Sequence, residues 1–91
     1  MITTGVVDLS KREFLRAVYE LTDMTAKQAI AFTDAQQRTG HSDYEADQAC
    51  GFWADRGILE YPSYNKVALT YVGLRRARRM ADRDWQPEVP F

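Results

Sequence analysis

Four turn-forming residues, Pro62-Ser63-Tyr64-Asn65, separate two short segments. In these two segments the apolar residues do not recur at the helical spacing found in the rest of the chain. Ile58-Leu59-Glu60-Tyr61 precedes the turn and Lys66-Val67-Ala68-Leu69-Thr70 follows it. Short runs of this kind, bounded by turn residues, are typical of β-strands. The sequence therefore predicts a β-hairpin, and any helices must lie on either side of it.

The first helix is predicted ahead of this hairpin, over about residues 11–22, where apolar side chains recur at helical spacing. Ser10 and Glu13 have the spacing of a capping box, in which each side chain bonds the backbone amide of the other. Leu9 and Phe14 have the spacing of a hydrophobic staple across the same helix start.

Two more capping boxes follow in the chain. Thr33-Asp34-Ala35-Gln36 predicts a short helix that ends at Gly40, and Ser42-Asp43-Tyr44-Glu45 predicts a third helix that ends at Gly57. Before them, Ala29-Ile30-Ala31-Phe32 is too short for a helix and predicts a brief strand or the segment leading into one. The third helix has one apolar face, made by Ala46, Ala49, Cys50 and Trp53.

The last predicted helix runs from about residue 71 to 83, with Thr70 as its cap. Its apolar side carries Leu74, Ala77, Met80 and Ala81, and its other side carries Arg75, Arg76, Arg78, Arg79 and Arg83. Residues 84–91 contain two prolines and are expected to be irregular. The predicted fold is mainly α with a small β-hairpin (α+β), with one domain over residues 1–83 and a tail over 84–91.

This order of elements resembles the winged helix-turn-helix family, in which three helices are followed by a β-hairpin wing and here by a C-terminal helix. The likeness covers roughly residues 9–79. Asp34 to Gly40 resembles the family's second helix and turn glycine, and Trp53 to Leu59 resembles its third helix entering the wing. Val67 to Gly73 resembles the second wing strand with its Leu-Thr-x-x-Gly step into another helix.

The resemblance implies a small transcription-regulator-like protein that works as a dimer and places its third helix in the major groove of double-stranded DNA. Ser42 and Tyr44 are then candidates to touch phosphates, and Gln48 is a candidate to pair with adenine. Asp43, Glu45 and Asp47 lie among them without a basic residue, and carboxylates repel phosphates. The alternative is that these residues only cap the helix.

The arginines of the last helix are the stronger candidates for DNA. Residues 1–60 carry six Lys/Arg and ten Asp/Glu, whereas residues 61–91 carry six and three, so a chain of net charge −1 has a basic end. We expect Arg75, Arg76 and Arg79 to contact mainly the phosphate backbone, with Lys66 and Asn65 of the wing. The alternative is a solvated face whose arginines pair with nearby carboxylates.

Several aromatic residues support a second hypothesis, in which the winged helix serves protein–protein interaction or dimerisation and binds no DNA because helix three is acidic. Phe52, Trp85 and Phe91 are the candidate interface residues. Tyr61 and Tyr64 flank the wing turn, where they either stack on a base or cover the hairpin.

Catalysis finds no support in the sequence. His41 lacks the neighbouring ligands of a zinc site, Cys50 falls on the core face, and no Gly-rich phosphate loop is present. We therefore expect no enzyme activity, metal, cofactor or small-molecule substrate. The lone cysteine and the lack of a long apolar run favour a cytoplasmic protein without membrane contact.

Overall fold

The computed structural model describes residues 9–86. This part of the chain forms four helices and three strands: α1 Leu9–Leu21, β1 Ile30–Ala31, α2 Phe32–Thr39, α3 Asp43–Asp55, β2 Leu59–Glu60, β3 Lys66–Leu69 and α4 Tyr71–Asp82. The predicted fold class is confirmed, since this is a mixed α+β structure of the winged-helix type. Over this range, every helix is too short or too polar to cross a bilayer.

The sheet has the order β1-β3-β2, and both outer strands run antiparallel to β3. Ile30 pairs with Val67, and Leu59 pairs with Leu69. The predicted hairpin is therefore present as β2 and β3, and the short apolar segment before α2 adds a third strand to it. Because β1 leads directly into α2, the pairing ties the start of that helix to the wing.

One apolar core joins the helices to the sheet. Leu15, Cys50 and Trp53 are all at most 1% exposed and belong to the same cluster of buried side chains. The Trp53 indole N–H donates to the backbone carbonyl of Lys11 over 2.8 Å, which satisfies the buried polar atom and links α3 to α1. The predicted apolar face of the third helix is confirmed.

Two of the predicted helix caps are confirmed. Ser42 and Glu45 form a reciprocal capping box at the start of α3, with hydrogen bonds of 3.1 Å and 2.9 Å. The Thr70 hydroxyl accepts from the amide of Gly73 over 2.8 Å at the start of α4. At the end of α2, Gly40 takes the left-handed conformation expected of it, with φ of 75°.

The capping box and staple predicted for α1 are wrong. The helix already includes Leu9, so Ser10 lies within its first turn and cannot be the N-cap residue. Leu9 is 58% exposed rather than packed against Phe14, which is buried in the core. The Ser10 carbonyl instead accepts a hydrogen bond of 2.9 Å from Nε2 of His41.

The capping box predicted for α2 is also wrong. Its N-cap residue is Ala31, which offers no side-chain hydrogen bond, and Thr33 lies inside the helix. The reason is tertiary, because the amide of Phe32 donates to the carbonyl of Asn65 over 2.9 Å. Strand pairing with the wing thus sets where the helix begins, and the side chain of Gln36 is used elsewhere.

Candidate nucleic-acid interface

The outer side of α3 and the wing form one surface, here called the α3–wing face. A cavity of about 210 Å³ lies between Asp47 of α3 and the wing residues Tyr61, Tyr64, Asn65 and Lys66, with Phe32 also lining it. The candidates Ser42, Tyr44 and Gln48 are exposed along the same helix. The structure therefore places the candidates Asn65 and Lys66 beside Asp47 of α3.

The α3–wing face is acidic, but two of its three N-terminal carboxylates are held in local hydrogen bonds. Asp43 accepts from the side-chain amide of Gln36 over 2.7 Å. Glu45 accepts from the Ser42 amide, and this bond lowers the pKa of Glu45, so the carboxylate stays ionised. The Asp47 side chain has no hydrogen bond or ion pair within residues 9–86. A phosphate approaching this helix would meet several negative charges.

The two wing tyrosines are in different situations. Tyr64 is 97% exposed at the turn, next to Asn65 in the left-handed conformation with φ of 57°. Tyr61 is 57% exposed and lies beside Asp47 and Asp55 of α3. Burial raises the pKa of Tyr61, and the neighbouring Cys50 thiol adds to this rise. Tyr61 therefore covers the side of α3, whereas Tyr64 is open to solvent.

The strongest positive surface lies on α4. Arg75, Arg78, Arg79 and Arg83, here called the α4 arginine face, are exposed. None of them forms an ion pair with a carboxylate of residues 9–86. Arg76 lies at the flank of this face and is half-buried. The alternative in which these arginines pair with nearby carboxylates is therefore not found within the described chain.

The wing turn and the start of α4 lie at opposite ends of β3. Lys66 begins the strand and α4 follows its other end, about 10 Å away at the usual strand rise. From there α4 packs against α1 and β3. The predicted DNA-binding residues therefore divide into two surfaces, the α3–wing face and the α4 arginine face.

The predicted protein-interface residues pack largely onto the domain. Phe52 is half-buried, with its ring edge-on to Trp53 at 4.9 Å and the Arg56 guanidinium 3.6 Å above it. Trp85 folds back so that its ring meets Tyr19 edge-on at 5.7 Å. Phe91 lies outside the described residues.

A third set of residues was not singled out from the sequence. Asp47, Gly51 and Asp55 are spaced four residues apart along α3, which places them in one row on its outer side. They line a groove together with Tyr61. The spacing was available as a signal, but only the placement of the wing shows that this row borders a groove.

His41 and Cys50, the side chains considered for metal binding and covalent chemistry, are both buried in the fold. Within residues 9–86, no group of three His, Cys, Asp or Glu side chains could hold a metal ion. The His41 side chain is 6% exposed and bonds the Ser10 carbonyl. Burial raises the pKa of the Cys50 thiol, which keeps it protonated and weakly nucleophilic.

The arrangement of three helices, a wing and a following helix is a fold of the winged-helix type. A search of protein-family models found no match, and no curated protein matches the chain. Among solved structures, the chain is similar to BpsR of Bordetella bronchiseptica, whose DNA binding is regulated by 6-hydroxynicotinic acid. The TM-score is 0.70 at 17% sequence identity, over 93% of this chain and 60% of the BpsR chain. At this identity the likeness shows the fold.

Proposed function

We propose that this protein binds double-stranded DNA as a transcription-regulator-like factor and contacts mainly the phosphate backbone, through the α4 arginine face and the wing. The observation that carries the proposal is the set of four exposed arginines on α4 without a carboxylate partner among the described residues. The structural similarity to BpsR, a protein with DNA-binding activity, supports it as a likeness of fold.

Arginine suits this role because its planar guanidinium donates several hydrogen bonds to phosphate oxygens and stays charged. Phosphate contacts position a protein on the duplex and carry no sequence information directly. Base readout by α3 is disfavoured, because Asp47 and the ionised Glu45 lie beside Gln48, the candidate for adenine. We therefore expect strong dependence on salt and little sequence preference.

The test is fluorescence anisotropy with a labelled duplex of mixed sequence, begun at low salt and repeated as the salt concentration rises. R75Q/R79Q should bind at least about tenfold more weakly than wild type at low salt. The slope of log K against log salt should be smaller by about 1.8, since each lost phosphate contact removes about 0.9.

The matched control is R16Q/R38Q, which removes the same charge from two exposed arginines that both pair with Glu20. It should bind DNA much as wild type does. If both double variants lose affinity equally, net charge explains the binding and the α4 arginine face has no special role. If R75Q/R79Q binds as wild type does, the proposal is wrong.

The wing and the flank of α4 are tested separately. K66Q should reduce the salt slope by about 0.9 if Lys66 contacts the same duplex, and R76Q should do the same if Arg76 reaches a phosphate. Single alanine variants of Ser42, Tyr44 and Gln48 should change affinity little, because the acidic helix keeps the duplex at a distance. N65A should weaken binding if Asn65 of the wing contacts the same duplex as Lys66. A large loss at Gln48 would instead indicate base readout by α3.

The alternative function is a winged-helix module that binds protein and no DNA. It is favoured by the acidic α3–wing face, where the Asp47 side chain has no hydrogen-bond or ion-pair partner among the described residues and Tyr64 is 97% exposed. The same titration separates the two functions, because a module of this kind would leave the duplex unbound even at low salt and micromolar protein.

A further inference from the structure

A groove runs along α3 below the wing. Its volume is about 370 Å³, and Gly51 forms its floor, with Asp47 and Asp55 one helical turn away on either side. A Cβ atom added at Gly51 would meet nothing within 4 Å, so the space above the helix backbone is open. Tyr61 closes the side toward the wing.

The groove contains two carboxylates that have no ion-pair partner among the described residues. The side chains of Asp47 and Asp55 form neither a hydrogen bond nor an ion pair within residues 9–86. Both aspartates line the groove together with Tyr61. Their charges add to the rise of the Tyr61 pKa, which is due first to burial. The chemistry of the site therefore suits a guanidinium group, which pairs with carboxylates and stacks on aromatic rings.

Two cationic side chains also line the groove, and both contact Phe52. The Arg56 guanidinium lies 3.6 Å from the centre of the Phe52 ring and donates to the Phe52 carbonyl over 3.0 Å. Lys11 lies 5.3 Å from the centre of the same ring. Within residues 9–86, neither cation forms an ion pair with Asp47 or Asp55, so both carboxylates remain available to a further guanidinium group.

A group that fits this groove is present on the same chain. Arg75, Arg79 and Arg83 are exposed and repeat the spacing of Asp47, Gly51 and Asp55, in which each member lies four positions after the one before it. Each row therefore spans about 12 Å at the helical rise of about 1.5 Å per residue. The outer arginines can face the two carboxylates while Arg79 lies over the open floor at Gly51.

We propose that the α3 groove is a docking site for the α4 arginine face of a second copy of this chain. A copy does not fill its own groove, since its arginines form no ion pair with Asp47 or Asp55 and α4 packs on α1 and β3. The contact is heterologous, because two different surfaces meet. Each added copy leaves one groove and one arginine face open, so the contact builds a ring or an open chain.

The association should be weak and sensitive to salt, because ion pairs between exposed side chains contribute little individually and are screened. DNA and the groove also compete for the same arginines. The inference does not depend on DNA binding, however, because the groove residues have no part in phosphate contact. D47N/D55N should lose self-association and keep any affinity for DNA, so the two proposals fail independently.

Sedimentation velocity over a range of protein concentrations tests the contact. At low salt the wild type should sediment faster as concentration rises, and this dependence should disappear at high salt. D47N/D55N and R75Q/R79Q should each remain monomeric. The matched control, D23N/D34N, removes two exposed carboxylates elsewhere and should associate as wild type does. A monomeric wild type, or unchanged association in D47N/D55N, would overturn the proposal.

Mixing the two defective variants gives the decisive result. D47N/D55N keeps its arginine face and R75Q/R79Q keeps its groove, so an equal mixture should form a 1:1 dimer that cannot grow further. An interface that pairs identical surfaces would not give this outcome. If each variant is folded by circular dichroism and the mixture stays monomeric, the proposed contact does not exist.

Discussion

Replacing Gly73 by alanine should destabilise the protein strongly, although alanine is normally the better helix residue. In an open helix position the change from glycine to alanine gains up to about 1 kcal/mol. At Gly73 the new Cβ would overlap the carbonyl oxygen of Ile58 and lie 2.8 Å from its carbonyl carbon. These are backbone atoms, so no side-chain rotation relieves the overlap.

The size of the loss in stability follows from the displacement of α4 from the Ile58 carbonyl that the new methyl group requires. Forcing an extra methyl group into a packed site costs about 1–3 kcal/mol. The Ile58 carbonyl also accepts from the Thr70 amide over 3.1 Å and from its hydroxyl over 3.2 Å, and each such bond contributes about 1 kcal/mol. After subtracting the gain in helix propensity, we expect G73A to lower the free energy of unfolding by about 2–4 kcal/mol.

The chain offers a matched control in Gly51, which lies inside α3 with open space where the Cβ would be. G51A should raise the free energy of unfolding by about 0.5–1 kcal/mol. Urea denaturation followed by far-UV circular dichroism measures both variants. If G73A is as stable as wild type, α4 does not approach Ile58 as closely as described. If G51A is destabilised, Gly51 is not open.

Three further changes have expected outcomes. S42A removes the capping box of α3 and should cost about 1 kcal/mol in urea denaturation, whereas S63A in the exposed turn should cost little. W53F removes the bond to the Lys11 carbonyl and should cost about 1–3 kcal/mol; no loss would mean that this carbonyl finds another donor. Burial raises the pKa of Tyr61 above its ordinary value of 10.0, so the unfolded chain loses this proton first. Stability should therefore fall above about pH 10, and less steeply in Y61F; identical profiles would contradict this assignment.

The capping motifs show when a short sequence pattern predicts the start of a helix and when it does not. Three stretches had the spacing of a capping box, and only Ser42 with Glu45 forms one. This box lies in an exposed turn after Gly40, where no other contact competes for the backbone. At α2, by contrast, the bond from Phe32 to Asn65 sets the helix start one residue ahead of Thr33. A short motif contains no information about a hydrogen-bond partner more than thirty residues away that competes for the same backbone amides.

The candidate site was predictable in composition but not in arrangement. The sequence shows that the arginines share one side of α4, because the helical period alone places them there. It does not show which of them have a carboxylate partner in the folded chain. It also does not show that Lys66 lies at the end of β3 away from α4. Those facts depend on how α4 leaves the sheet, which the packing against α1 determines.

By itself, the sequence determined the helices, the hairpin and the apolar faces, because periodicity, turn residues and local caps act over a few neighbouring residues. Only the tertiary structure decided the pairing of β1 with β3, the return of Trp85 onto Tyr19, and the groove between Asp47, Asp55 and Tyr61. The physical reason is range: these contacts join segments far apart in the chain, and their geometry follows from the shared core.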